Sequence, residues 1–249
     1  MNLILLERDE ISDSGGVTLS GPRARHLLTV LRVAPGDCIR VGVIDGPRGT
    51  ATVQSSQNAS VTLHCAFEVD APERASVDLL LALPRPKVMR RLWAQIAALG
   101  VGRIILTNAE RVERDYFDAH ILTPACYRPL LVEGLQQARD TRLPAVSIHK
   151  RFKVLVEDEL DTLFHADGLR LVADPSAQKS VGALVAEHTR GAPATRILIA
   201  IGPEGGWNAF KIALLEAHGF LAVGMGRRTL RTDTACVALL ALVHDALAT

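Results

Sequence analysis

Residues 196–206 read RILIAIGPEGG, and this stretch decides the fold of the chain. The run Arg196–Ile201 has the composition of a strand buried on both faces, as in a parallel sheet. It stops at a loop with paired glycines, which let backbone approach a ligand closely. Ligands of open α/β sheets bind outside the carboxyl ends of the strands. We therefore predict an α/β fold with a binding loop at Ile201–Gly206, followed by a helix from Asn208 to His218.

A second stretch, residues 220–235, reads FLAVGMGRRTLRTDTA and repeats the strand-then-glycine pattern. The loop carries three arginines, Arg227, Arg228 and Arg231, and these favour an anionic partner. The following helix, which runs to Ala248, is apolar around its circumference, so we expect burial on all sides, inside the domain or in a dimer interface. From the residues alone, the two loops form a small-molecule site. The alternative is two tight turns that need glycine only for geometry.

The sequence upstream of these loops alternates short apolar strands with helices. Strands are predicted at Val77–Leu83, Arg103–Thr107 and Leu169–Ala173, and helices at Pro86–Leu99 and around Ser180–His188. This alternation indicates a parallel sheet covered on both faces. The charged stretch Glu110–Pro124 is predicted to be a long loop.

The composition changes near Asp70–Arg74, and the chain before it is β-rich. Ile39, Val41 and Val43 alternate with polar or small residues, which is the period of a half-buried strand. Several such strands at close spacing predict a small barrel. One short helix is expected at Pro22–Arg32, with proline in its first turn.

The composition excludes several classes of protein. The formal net charge is +1, and 48% of the residues are apolar, a usual share for a soluble globular protein. No run approaches the roughly 18–20 apolar residues of a membrane span, so a cytoplasmic protein is predicted. Cys38, Cys65, Cys126 and Cys236 contain no CxxC pair, so we expect neither a zinc site nor a disulfide framework.

The paired loops resemble the motifs of the 16S ribosomal RNA uridine N3-methyltransferase family. IGPEGG is followed by GMGRRTLRTDTA, where the family's second motif usually reads LGxRILRTETA. The resemblance covers nearly the whole chain, and together its motifs are highly specific. The other matching segments are His26–Arg32 with Pro35–Asp37, Leu99–Val101, Glu110-Arg111 and Gln137–Pro144.

The resemblance implies an N-terminal PUA-like β-barrel that binds RNA, residues 1–72, and a SPOUT methyltransferase domain with a trefoil knot, residues 73–249. It implies S-adenosylmethionine as the cofactor, 16S rRNA or the small ribosomal subunit as the partner, a homodimer, and neither metal nor membrane. The cofactor-binding residues that it implies are Val172, Asp174, Ile201, Gly202, Pro203, Glu204, Gly205, Met225, Gly226, Leu230, Thr232, Thr234 and Ala235.

Methylation at N3 of uridine requires that nitrogen to lose its proton. We expect a cation to stabilise the developing uridine anion, with Arg231 preferred over Arg228. Glu204 or Asp233 would accept the proton, although capping a helix is the simpler role for either; the predicted catalytic residues are Arg231 and Glu204. The predicted RNA contacts are Arg23, Arg25, His26, Arg32, Lys87, Arg111, Arg142, Arg228 and Arg231. His26 fits a packed histidine equally well.

The chain departs from the family at a few positions. The family's QKxxELG lacks its Lys and Glu in residues 94–100, the Arg of EQxxR is displaced by one to Arg139, and Asp233 replaces a Glu. These departures leave open a SPOUT methyltransferase with a different target nucleotide. Two further alternatives are an inactive homologue that binds RNA and S-adenosylmethionine, which the intact cofactor loops disfavour, and a phosphate-handling enzyme, which the missing Walker lysine disfavours.

Overall fold

The computed structural model describes residues 3–57, 59–110, 112–165, 167–188, 196–226 and 228–248. The chain groups into two compact units, Met1–Arg74 with Val132–Leu143, and Ala75–Leu131 with Pro144–Thr249. The segment Val132–Leu143 lies outside the first domain that the sequence predicts. Within the described ranges, no helix is long and apolar enough to cross a membrane.

The first unit is built on a five-stranded sheet of order β1-β3-β4-β5-β2. The β1–β3 pair is parallel and the other neighbours are antiparallel. Alternate residues such as Val41, Val53 and Leu63 point into one apolar core, which confirms the predicted period-2 pattern. The strands are β1 Ile4–Leu6, β2 Gly16–Leu19, β3 Cys38–Val43, β4 Arg48–Gln57 and β5 Ser60–Phe67.

The predicted helix of the first unit is present in two parts. Helix α1, Gly21–His26, has proline in its first turn and continues as a wider turn at Leu27–Leu31. It ends at Arg32, whose φ of 52° is left-handed. Ala24 and Leu27 pack into the core of the sheet, so the helix closes one side of this unit.

The second unit contains a six-stranded, wholly parallel sheet of order β11-β9-β10-β6-β7-β8. This confirms the predicted parallel α/β architecture. The strands are β6 Val77–Ala82, β7 Arg103–Thr107, β8 Ala145–His149, β9 Leu169–Ala173, β10 Ile197–Ile201 and β11 Phe220–Val223.

Helices cover both faces of this sheet. The remaining helices, in chain order, are α2 Pro86–Ala98, α3 Pro124–Ala138, α4 Phe152–Val154, α5 Leu160–Leu163, α6 Val181–His188, α7 Ala209–Ala217 and α8 Thr232–Ala248. All belong to this unit except α3, whose residues from Val132 onward belong to the first unit. On one face, Phe152, Leu160 and Leu215 pack against the strands. On the other, α8 lies against α2, α6, β6 and β10.

The structure narrows one expectation about these elements and corrects another. Helix α8 is not buried on all sides within one chain, because only one side packs on the sheet, and Val237 and Leu242 remain about 40% exposed. The stretch Glu110–Pro124 is not a plain loop, because it contains short 3-10 turns at Arg114–Asp118 and His120–Leu122.

Candidate functional site

A cleft of about 570 Å³ opens at the carboxyl ends of β9, β10 and β11. We call it the glycine-loop cleft, because the loops after β10 and β11 form most of its wall. Its lining residues are Ala173, Asp174, Pro175, Ile201, Gly202, Pro203, Gly205, Gly206, Val223, Met225, Gly226, Arg228, Thr229, Leu230, Thr232 and Ala235. Its lining is mostly apolar side chains and glycine backbone, as in the binding sites of small molecules.

The loop after β10 owes its shape to glycine. Gly205 and Gly206 have φ values of 101° and 78°, a region that other residues enter only with strain. The Gly206 amide donates to the carbonyl of Pro203 at 2.9 Å, which closes a tight turn. The turn leads directly to Asn208, whose side chain accepts from the Lys211 amide at 2.9 Å and caps α7. The predicted start of this helix at Asn208 is therefore confirmed.

The loop after β11 approaches another chain segment closely. A Cβ atom at Gly224 would lie 2.5 Å from the carbonyl oxygen of Ala177, so only glycine fits there. The Gly224 amide donates to the carbonyl of Lys179 at 3.0 Å, and Gly226 has a φ of 98°. Arg227 lies outside the described residues. These contacts fix the start of a loop whose later residues form the cleft wall.

Thr232 joins the two loops. Its buried hydroxyl donates to the carbonyl oxygen of Gly202 at 3.3 Å. On the remaining wall, the Asp174 carboxylate accepts from the amide and hydroxyl of Ser176, both at 2.8 Å. The cleft is therefore a preformed arrangement of three strand-end loops.

Most of the predicted cofactor residues line this cleft. The structure brings together Asp174, Ile201, Gly202, Pro203, Gly205, Met225, Gly226, Leu230, Thr232 and Ala235. Val172 does not join them, because its side chain packs in the apolar core beneath the sheet. Glu204 and Thr234 also lie outside the lining. The sequence interpretation missed Ala173 and Val223, the ends of their strands, and Pro175, whereas Gly206 and Thr229 lie in the two loops that it predicts to form the site.

The arginines of the second loop differ in their surroundings. Arg231 donates to Asp233 at 2.8 Å, and Asp233 also pairs with Arg91 at 3.0 Å. The hydrogen bond from Arg231 holds the pKa of the Asp233 carboxyl below its usual range, which makes this group a poor proton acceptor. Arg228 is exposed, lines the cleft and has no ion pair among the described residues. The structure therefore places Arg228, rather than Arg231, on the cleft wall.

Glu204, the predicted proton acceptor, is about half exposed and lies 3.9 Å from the Arg85 guanidinium. Its loop borders the cleft, but its side chain does not line it. It does not cap α7 either, because Asn208 takes that position.

The predicted RNA contacts divide into engaged and accessible side chains. Arg23 donates to Glu10 at 2.9 Å and to the Leu5 carbonyl at 3.2 Å, and Arg142 donates to the Asp45 carbonyl at 2.9 Å. The Nε2 atom of His26 is buried without a partner among the described residues. The exposed members are Arg25, Arg32, Lys87, Arg228 and Arg231. Arg111 lies outside the described residues.

A second, polar pocket of about 420 Å³ shares Gly205 and Gly206 with the glycine-loop cleft. Lys211 lines it, and its Nζ lies 4.7 Å from the centre of the Phe152 ring. Burial lowers the pKa of this lysine. Glu110 accepts from the Asn208 side chain at 2.7 Å and closes another side. Lys211 was not predicted; the signal available was the single cation in a mostly apolar helix.

No cluster of metal-binding side chains is present in the part of the chain that the structure describes. There, no three His, Cys, Asp or Glu side chains are grouped so that they could hold an ion.

The sequence of this chain is similar to those of known proteins. A family model for the RNA methyltransferase domain matches residues 71–244, which takes in every strand of the parallel sheet and all the loops of the glycine-loop cleft. A ribosomal RNA small subunit methyltransferase E from Treponema pallidum is 30% identical over 98% of this chain and 90% of its own length. A protein of the same description from Borreliella burgdorferi is 24% identical over 96% and 95%.

Solved structures share the fold of this chain. A ribosomal RNA small subunit methyltransferase E from Neisseria gonorrhoeae, bound to S-adenosyl methionine, superposes with a TM-score of 0.74 at 22% identity, covering 98% of this chain and 97% of that one. A putative methyltransferase from Legionella pneumophila, in complex with the same cofactor, gives 0.73 at 22% identity with the same coverage. The chain belongs to the ribosomal RNA small subunit methyltransferase E family.

Proposed function

We propose that this protein transfers a methyl group from S-adenosylmethionine to N3 of a uridine in 16S rRNA of the small ribosomal subunit. The observation that carries the proposal is the preformed glycine-loop cleft, set within a chain of this family. Two relatives of the same fold are described with that cofactor bound. The choice of N3 and of uridine rests on the paired sequence motifs.

The residues of the cleft fit such a cofactor. Its lining combines apolar side chains with glycine backbone, which suits a nucleoside with an amino-acid tail. The glycines at 202, 205, 206 and 226 place backbone on the wall of the cleft, and Ile201, Val223 and Leu230 add apolar side chains. When bound, the cofactor supplies an electrophilic methyl group on a sulfonium. The chain's task is to hold that group and the uridine in line, which alone contributes roughly 7–11 kcal/mol in favourable cases.

The acceptor must lose the N3 proton as the N3–CH3 bond forms and the S–CH3 bond breaks, leaving S-adenosylhomocysteine. The sequence favours Arg231 as the cation that stabilises the developing negative charge at O2 and O4. The structure favours Arg228, because Arg228 lines the cleft while Arg231 is engaged by Asp233. The hydrogen bond from Arg231 lowers the pKa of Asp233 and makes it a weak base, so Glu204, whose loop borders the cleft, is the proposed proton acceptor.

The finer features of the fold belong to the same proposal. The chain leaves the edge strand β11 and returns to α8, which contacts β10 and β6 in the middle of the sheet. Residues 224–226 and 228–231 therefore pass the loops after β9 and β10, a path compatible with a trefoil knot. The five-stranded sheet of the first unit is compatible with a PUA-like barrel. A homodimer is supported by the apolar side of α8 that one chain leaves exposed.

The test is methyl transfer from labelled S-adenosylmethionine to unmethylated small subunits and to free 16S rRNA, with the product nucleotide mapped by mass spectrometry. We expect 3-methyluridine at one position. Arg228→Ala should lower kcat about 100-fold while the cofactor Kd, measured by calorimetry, changes little; Arg151→Ala, an exposed arginine elsewhere in this unit, serves as the control. Cofactor binding without transfer would favour an inactive homologue, and another methylated nucleotide would correct the target.

A further inference from the structure

Another cavity, of about 930 Å³, lies in the first unit and is lined by three arginines. Arg40 lies on β3, Arg48 begins β4 and Arg139 follows α3. We call this cavity the arginine cleft. Its other lining residues are Leu3, Gly49, Thr50, Ala66, Phe67 and Glu68.

The sheet register explains why two of these arginines share a face. Arg40 pairs with Thr50, and Thr50 pairs with Ala66, so these three form one row across the sheet. All three are exposed, whereas Val41 and Ala51 point to the core. Side chains two residues apart along a strand share a face, which places Arg48 beside Thr50 on the outer side.

The third arginine is delivered by a segment that packs onto the same sheet. Thr141 lies so close to Gly42 that a Cβ there would be 2.6 Å from its methyl carbon. Its hydroxyl donates to the Gly46 carbonyl at 2.6 Å, and its own carbonyl accepts from the Asp45 amide at 2.8 Å. These contacts hold residues 139–143 rigidly against the sheet, with Arg139 at the edge of the cleft.

Arg139 also occupies a costly backbone conformation. Its φ is 61°, and the next amide, of Asp140, donates to the Leu135 carbonyl at 3.0 Å, which ends α3 in a left-handed cap. Glycine is the usual residue there, because it has no Cβ to strain. A strained residue that persists suggests that its side chain serves a purpose.

The arginine cleft carries more positive than negative charge. Three guanidinium groups face one lining carboxylate, Glu68, and the contact between Arg48 and Asp140 is long at 3.9 Å. Arg40 and Arg139 have no ion pair among the described residues. By contrast, Arg23 of α1, a predicted RNA contact, is already neutralised by Glu10, which raises the pKa of the guanidinium.

We infer that the arginine cleft binds the phosphate backbone of the ribosomal RNA substrate, an inference that rests on the proposed function. Guanidinium groups bind phosphate oxygens with two parallel hydrogen bonds. The cleft is larger than one phosphate needs, and its arginines come from three chain segments, which suits consecutive phosphates of a strand. The Thr50 hydroxyl would add a neutral contact to the same backbone.

The experiment measures binding of the full chain to labelled 16S rRNA at several salt concentrations. The Arg40→Gln, Arg48→Gln, Arg139→Gln triple variant should bind at least tenfold more weakly. The slope of log K against log salt should become shallower by about 0.7–0.9 for each phosphate that the variant no longer binds. Arg8→Gln, at an exposed arginine of the same unit, is the matched control and should retain wild-type affinity and slope. Calorimetry should show an unchanged Kd for S-adenosylmethionine in every variant.

Arg139→Gly distinguishes the effect of the Arg139 side chain on RNA binding from the effect of its strained backbone on stability. It removes the guanidinium and relieves the strain, so the Tm should stay equal or rise by about 2 °C while RNA affinity falls. Wild-type affinity and slope in the triple variant would overturn the inference. If the wild type methylates rRNA while the triple variant binds normally, only this inference fails; if the wild type neither binds nor methylates rRNA, the proposed function fails with it.

Discussion

Thr232 and Gly202, thirty positions apart in sequence, are joined by a hydrogen bond from a buried hydroxyl to a carbonyl oxygen at 3.3 Å. The first belongs to the initial turn of α8, and the second opens the loop after β10. Both line the glycine-loop cleft. This contact therefore couples the stability of the fold to the shape of the site.

Thr232→Val tests that coupling. Valine keeps the shape of the side chain but leaves the Gly202 carbonyl without its donor, and an unsatisfied buried acceptor costs about 1–3 kcal/mol. We expect a Tm lower by several degrees and weaker binding of S-adenosylmethionine by calorimetry. Thr234→Val, at an exposed position of the same helix, should leave both quantities unchanged. Equal behaviour of the two variants would show that the hydroxyl has no such role.

Gly206→Ala tests whether the loop after β10 needs its left-handed backbone. The space around a Cβ at this position is open, so any effect comes from the φ of 78° and not from a clash. The strain costs about 1 kcal/mol, and the altered turn should weaken cofactor binding roughly tenfold. Gly182→Ala is the matched control, because its Cβ is also unobstructed but Gly182 lies in helix α6. There, alanine should stabilise by about 0.5 kcal/mol and leave affinity unchanged.

Asp78 gives the unit a pH-dependent stability. It is 1% exposed at the start of β6, and both its oxygens lie within 2.9 Å of Arg196. Burial outweighs this pairing and raises the pKa of the carboxyl above its usual value. An acid with a raised folded-state pKa binds more protons when folded, so its contribution to stability is present below the unfolded pKa and is lost as pH rises through the folded pKa.

Asp78→Asn should remove that pH dependence. The free energy of unfolding of the variant, from denaturant titrations at a series of pH values, should match wild type below pH 4 and exceed it increasingly up to a plateau. A variant less stable than wild type at pH 7 would contradict the argument. Arg196→Met should act in the opposite direction, by about 2 kcal/mol at pH 7, because it leaves a buried carboxylate without its partner.

The sequence predicted the parallel sheet well, because its central strands are uninterrupted apolar runs. The bounds of β7, β9 and β11 were predicted correctly. The edge strand β8, Ala145–His149, was missed because its exposed residues leave no apolar run. The segment Val132–Leu143 was assigned to the second domain by chain order alone, because its contacts with the first sheet are long-range.

The sequence predicted which loops form the candidate site but not the directions in which the side chains point. The glycine patterns predicted the two loops that form the cleft. Val172 was implied as a cofactor contact, but the next residue of its strand, Ala173, lines the cleft, because adjacent strand residues point to opposite faces. Arg23 was predicted to contact RNA, because its ion pair with Glu10, thirteen positions earlier, is not visible in a local sequence pattern. Arg139 could not be recognised as a cleft residue, because neither its left-handed backbone nor its packing on β3 is visible in a local pattern.

The exposed side of α8 predicts the oligomeric state. Thr234, Val237 and Ala241 follow one another at helical spacing, and Leu242 lies next to them, all exposed in a single chain. Val237 and Leu242 together leave an apolar surface that a second copy of the chain would bury. Val237→Arg with Leu242→Arg should therefore convert a dimer to a monomer in sedimentation or light scattering.

Val69→Arg is the control, because Val69 is 96% exposed in the first unit and lies on no helix or strand. It should leave the oligomeric state unchanged. If the α8 variant remains dimeric, the interface lies elsewhere, and if the wild type is a monomer, the dimer proposal fails directly. Because α8 begins at Thr232 on the cleft wall, dissociation of the dimer should also weaken cofactor binding, which calorimetry on the same samples would detect.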